Sequence, residues 1–130
     1  MTLVEFLSAR LDEQEAIFEA RVQAEVEYLR SDGMPDMTAD EVRSYWLRPP
    51  GNTGDPVFDA QTQWPYILAD IAAKRAIVAE CSWAVVHSGD DACGLGDDAP
   101  HNEALTLLRI LRLLAQPFAA HPDFDPAWRL

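Results

Sequence analysis

Residues 2–33 read TLVEFLSARLDEQEAIFEARVQAEVEYLRSDG. Thr2 followed three residues later by Glu5 is a capping-box pattern: the hydroxyl accepts from the backbone near Glu5 while the carboxylate reaches back. Apolar residues then recur at Val4, Leu7, Leu11, Phe18, Val22, Val26 and Leu29. These steps of three and four draw one buried stripe on a helix. Asp12, Glu13, Glu15, Glu19, Glu25 and Glu27 lie between them, mostly toward solvent. Near Ser31-Asp32-Gly33 the helix stops, because glycine takes the left-handed conformation that ends helices. About 28 residues of helix is roughly 42 Å, longer than a globule of this size requires. Its far end is therefore expected to project or to pair with a second copy, which predicts a homodimer.

A second capping box, Thr38-Ala39-Asp40-Glu41, opens a short helix carrying Val42, Tyr45 and Trp46, stopped by Pro49-Pro50. Residues 48–59, with three prolines and two glycines, read as a loop. A third helix starts at Gln63 or Trp64, since Pro65 is tolerated only in a first turn. Ile67, Ile71, Val78, Cys81 and Val85 mark its buried stripe, and it runs to about His87. Residues 88–100 read as a second loop, with Asn102 as the N-cap of a fourth helix that ends near Gln116. That helix is leucine-rich around most of its circumference, which predicts a central place covered on two sides. Residues 117–130, rich in proline, read as an extended C-terminal strap docked through Phe118, Phe124 and Trp128. Strand alternation is absent. The fold expected is an all-α small helical bundle, three long helices and one short, forming a single domain over residues 1–130.

The formal net charge is −12, and residues 101–130 balance at three acids and three bases, so the excess belongs to the first hundred residues. Such a field repels phosphate backbones and anionic headgroups, which disfavours direct nucleic-acid or membrane binding. The longest apolar segment, Ala104–Ala115, is interrupted by Arg109 and Arg112 and falls short of the ~20 residues that span a bilayer. Residues 1–11 include Glu5 and Arg10 and lack the apolar core of a signal peptide. Two cysteines make no disulfide framework, so a reducing, cytoplasmic setting is expected.

The stretch Thr106–Arg129, TLLRILRLLAQPFAAHPDFDPAWR, resembles the ending of a family of small uncharacterised proteins from actinobacteria and their phages. Leu3-Val4-Glu5-Phe6-Leu7 with Arg10-Leu11-Asp12-Glu13 is similar to that family's opening, and Ile67–Ile77 to its middle helix. These pieces cover roughly half the chain. The family is a domain of unknown function, so the resemblance implies a host range and no reaction. Between Phe18 and Gln63 the chain departs from the family's pattern, which commonly has a Pro-Gly-Pro-Trp-type turn and a β-prone segment there.

Cys81, His87, Cys93 and His101 form the one metal-like set, offering the soft ligands that a structural zinc takes in a tetrahedron. Their spacing contains no Cys-x-x-Cys or His-x₃-His pair, and Cys81 falls on the buried stripe, where a free cysteine is ordinary core filling. A Cys/His nucleophile would need a third orienting group, and no signature surrounds either thiol. Asp12, Glu15 and Glu19 share a face of the first helix, but Asp70 and Glu80 are too far apart to complete a magnesium site with them. The acidic glycine loop around residues 89–98 lacks the ligand alternation of an EF-hand and the lysine of a phosphate loop. His121, in the tail, is expected to bond to backbone where the strap turns. Tyr45, Trp46 and Trp64 flank the first loop; they make an aromatic contact patch if exposed and a satellite core if buried. The expected function is that of a non-enzymatic acidic interaction protein with no cofactor, a phage-encoded factor binding a host protein. The alternatives are a small enzyme using Cys/His or a metal, and a DNA-mimic inhibitor.

Overall fold

The computed structural model describes residues 1–47, 63–87 and 99–130, and for 84–87 and 99–102 the backbone alone. Among these residues there are four α-helices and no strand: α1 (Leu3–Ser31), α2 (Ala39–Trp46), α3 (Trp64–His87) and α4 (Ala99–Ala115). The fold is all-α. The loop expected over 48–59 lies outside the described residues, as does 88–98. Residues 99 and 100 belong to α4 instead of the second loop, and Asn102 is inside the helix instead of capping it. Pro100 explains the shift: it sits in the first turn, where a missing N–H costs no intrahelical bond.

Both capping boxes form. The Thr2 N–H donates to Glu5 Oε2 at 2.7 Å and the Glu5 N–H to Thr2 Oγ1 at 3.2 Å. At α2 the Thr38 N–H donates to Glu41 Oε2 at 2.9 Å, answered by the Glu41 N–H on Thr38 Oγ1 at 3.3 Å. Gly33 ends α1 at φ +97°, the left-handed region. The Met34 N–H then turns back to the Leu29 carbonyl at 3.0 Å, the six-to-one bond of a Schellman ending.

The chain divides into two compact units, residues 1–11 with 73–130, and residues 12–72. In the first, Leu3, Phe6, Leu7, Val78, Cys81, Leu111, Ala115, Phe124 and Trp128 make one buried cluster. Phe6 is its hub, with the rings of Phe118, His121, Phe124 and Trp128 at centroid distances between 5.0 and 6.2 Å. The tail does dock through its aromatics, and two 3₁₀ turns, Gln116–Phe118 and Pro126–Trp128, shape its path. Gln116 Nε2 donates to the Arg112 carbonyl and to the Trp128 carbonyl, joining the end of α4 to the second turn. Arg10 lies beneath the tail, 6 % exposed, its guanidinium 5.2 Å from the Phe6 ring centre and its Nη1 on the imidazole of His121. His121 Nδ1 also accepts from the Asp123 N–H at 3.1 Å, so the imidazole does meet backbone where the tail turns.

α4 is not enclosed on two sides. Leu111 and Ala115 are buried, whereas Leu105 and Leu113 are more than half exposed. A run of leucines fills one face with core and leaves the rest at the surface, because nothing in their spacing selects which side is covered.

In the second unit Phe18, Val22 and Val26 of α1 close on Val42 and Trp46 of α2, with Leu29, Met37, Trp64 and Leu68 packed around them. Arg43 fixes α2 to α1 by a forked contact with Glu19, Nη2 to Oε2 at 2.6 Å and Nε to both carboxylate oxygens at 3.1 Å. The Glu19 carboxyl is held below its ordinary value by that bond, which outweighs the modest burial that raises it.

Candidate interaction groove

The reversal of the chain after α1 leaves a groove between the last turns of α1 and the short α2. Its volume is about 680 Å³, within the range of ligand-binding clefts. Leu29, Val42 and Trp46 form the apolar floor, while Met34, Met37 and Tyr45 line the sides. Each is positioned by a local rule already described. The Schellman ending brings Met34 back beside Leu29. The capping box fixes where α2 begins, and therefore that Val42 and Trp46, four apart, face α1 while Tyr45 turns toward the opening.

The rim is acidic. Glu25 comes from α1, and Asp40 and Glu41 from the first turn of α2. Acids at a helix N-terminus are favoured by the unpaired N–H groups there, so this placement stabilises α2 as well. Glu41 is held below its ordinary carboxyl value, chiefly by the Thr38 backbone bond and then by the Thr38 hydroxyl. Two arginines reach this lining: Arg43 pairs with Asp40 on the rim and with Glu19, and Arg30 Nε donates to the Met37 carbonyl at 2.9 Å.

Of the aromatic residues singled out from sequence, Trp46 is buried, Trp64 half-buried and Tyr45 nearly half exposed. Trp46 and Trp64 stack, 6.5 Å between centroids and 10° between planes, and Phe18 meets both rings. The guanidinium of Arg21 lies 5.9 Å from the Trp64 ring centre. Trp46 thus belongs to the groove's floor, Trp64 to the packing behind it, and Tyr45 to its lip.

Cys81 is buried in the first unit's core, a free thiol whose pKa is pushed up by burial and secondarily by Glu80. His87 ends α3 and His101 lies in the first turn of α4, their side chains outside the described residues, as is Cys93 altogether. The convergence of Cys81, His87, Cys93 and His101 therefore falls outside what is described. Among the described residues no group of three or more His, Cys, Asp or Glu side chains is arranged to hold a metal ion. Asp12 and Glu15 are exposed, and Glu19 takes Arg43. No helix of the described residues is long and apolar enough to cross a membrane.

A family model matches residues 1–130. The chain belongs to the family of unknown function DUF6221. No curated protein and no solved structure matches it. The resemblance read from the opening, the middle helix and the tail therefore leads to a domain-of-unknown-function family, as expected from those residues.

The groove's methionines were not picked out from the sequence. The available signal was their place between a helix stop at Gly33 and a capping box opening at Thr38, where two helices must fold back on each other.

Proposed function

We propose that this is a non-enzymatic interaction protein that seats an apolar side chain of a protein partner in the α1/α2 groove. The observation that carries this reading is the groove itself: a concave apolar floor with a mouth of flexible thioethers, a tyrosine and acids. Exposed methionine adapts to differently shaped apolar groups because it is unbranched and polarizable. Tyrosine at the lip is a residue type enriched at protein interfaces. The acidic surface, −12 over the whole chain, favours encounter with a basic partner and disfavours phosphate backbones. The resemblance to actinobacterial and phage proteins supports a cytoplasmic, phage-encoded factor acting on a host protein.

The test is site-directed photocrosslinking. A benzophenone amino acid at position 45 should capture a discrete partner, and the same probe at exposed Ala20, on α1 outside the groove lining, should not. Binding of the partner once purified should be lost in Met34→Asp with helix content unchanged. Equal capture from both positions, or a partner indifferent to Met34→Asp, would remove the groove from the reading.

A further inference from the structure

The groove also constrains the conformation and charge of what fills it, and this step rests on the interaction reading above. We infer that its occupant is a cationic amphipathic helix presenting a bulky apolar residue on one face.

The backbone argument comes first. An extended peptide in an apolar groove must find partners for its own N–H and C=O groups, usually on a sheet edge. Among the described residues there is no strand, and the groove walls are two helices and the turn between them, where the Met34 N–H already bonds the Leu29 carbonyl and the Met37 N–H the Met34 carbonyl, so no open sheet edge is offered. A helix pairs its backbone internally and offers only side chains, so it fills such a groove without orphaned polar groups. The dimensions agree: eight residues of α2 give a wall of about 12 Å, some two turns, enough for anchors at i and i+3 or i+4.

The charge argument is local. Residues 24–47 carry six acids, Glu25, Glu27, Asp32, Asp36, Asp40 and Glu41, against two bases, Arg30 and Arg43. Both bases spend donors inside the unit, Arg30 on the Met37 carbonyl and Arg43 on Glu19 and Asp40. Arg43 offsets the rim's Asp40, and the remaining excess of acids still gives an anionic helix a net repulsion, whereas lysines and arginines flanking the anchor would meet Glu25 and Glu41. The exposed thioether of Met34 accommodates Leu, Phe or Trp as the anchor, so recognition selects a class of helix more than one sequence.

The experiment uses the full chain and three fluorescein-labelled peptides of equal length: a Lys/Leu amphipathic helix, its Glu/Leu counterpart, and the Lys/Leu peptide broken by two central prolines. Anisotropy titration should show the intact Lys/Leu helix binding at least about tenfold more tightly than either other peptide, a gap of ~1.4 kcal/mol. Its affinity should fall as salt rises from about 0.05 M to about 0.5 M, where exposed charges are screened. Met34→Asp and Tyr45→Asp, both at exposed positions, separate groove binding from diffuse attraction. Each adds negative charge, so mere Coulombic association would tighten; seating in the groove requires that it weaken by roughly tenfold. Equal binding of the Glu/Leu or proline-broken peptide, still abolished by Met34→Asp, would overturn the cationic helix and leave the groove standing. Binding that strengthens in both Asp variants, or no binding by any peptide, would overturn the groove as a helix site as well.

Discussion

Replacing Phe6 by alanine should cost about 4 kcal/mol, toward the middle of the ~3–5 kcal/mol seen for phenylalanine truncated in a core. The side chain is 0 % exposed, so the entire ring is lost from a closed environment. Four aromatic rings surround it, three of them edge-on, with Arg10 beside it. Such pairs add roughly 0.5–1.5 kcal/mol each beyond area burial, but neighbours that share one ring are not additive, so the total stays within the range for truncation. Phe118, Phe124 and Trp128 all belong to the tail, which limits how far the hole can collapse without the tail moving. A domain of this size has ~5–15 kcal/mol in hand, so the variant should fold but be far weaker. With a urea slope near 2 kcal/mol per molar, the midpoint should drop by ~2 M. Far-UV circular dichroism during urea titration reads this directly. Phe6→Leu should lose only roughly 1–2 kcal/mol, and Tyr28→Ala, at a position 60 % exposed, about 0.5 kcal/mol or less. A Phe6→Ala loss under about 1.5 kcal/mol, or one equal to that of Phe6→Leu, would refute the assignment of Phe6 as the hub.

Gly33→Ala should destabilise by about 1–2 kcal/mol in thermal melts, through the positive φ alone, since an added Cβ meets nothing within 4 Å; an unchanged melt would contradict it. Cys81, 3 % exposed and with its thiol pKa raised by burial, should react with Ellman's reagent far more slowly than a free thiol in a Cys93→Ser background. Its labelling should follow the urea unfolding curve, and rapid labelling without urea would refute its burial. Glu5, Glu19 and Glu41 all have folded values below the ordinary 4.5, held there by Thr2, Arg43 and Thr38 respectively. Their contribution is therefore complete above about pH 4.5 and is lost as pH falls through the lowered folded values. Urea midpoints measured from pH 6 to pH 3 should decline, and the decline should be shallower in Glu5→Gln/Glu41→Gln; an identical slope would count against the capping carboxylates.

The parts of this fold legible in the sequence are those set by chemistry within one or two turns. Thr2 with Glu5, Thr38 with Glu41, Gly33, and Pro65 in the first turn of α3 each found the partner or conformation their spacing implied. The buried stripe of α1 was drawn too narrow. Leu3, Phe6 and Arg10 are buried as well, because the tail covers a second face of that helix, and no local periodicity announces a covering from more than a hundred residues away. Arg10 is the sharpest case: four residues after Phe6 it shares the buried face, yet its charge argued for solvent until His121 and the Phe6 ring surrounded the guanidinium. Pro100 was read as the last residue of a loop where it opens a helix, the ambiguity inherent in proline at an element's edge. As for the groove, Tyr45 and Trp46 were visible as aromatics beside a loop. Their division into lip and floor required knowing which face of α2 meets α1, and Met34 and Met37 gained meaning only once that face was fixed.

The parallel indoles of Trp46 and Trp64 have a spectroscopic consequence. Indole transitions held this close couple electronically, and near-ultraviolet circular dichroism senses that coupling only while the two rings keep their mutual orientation. That signal would be an intrinsic gauge of order in residues 12–72, needing no dye and no label.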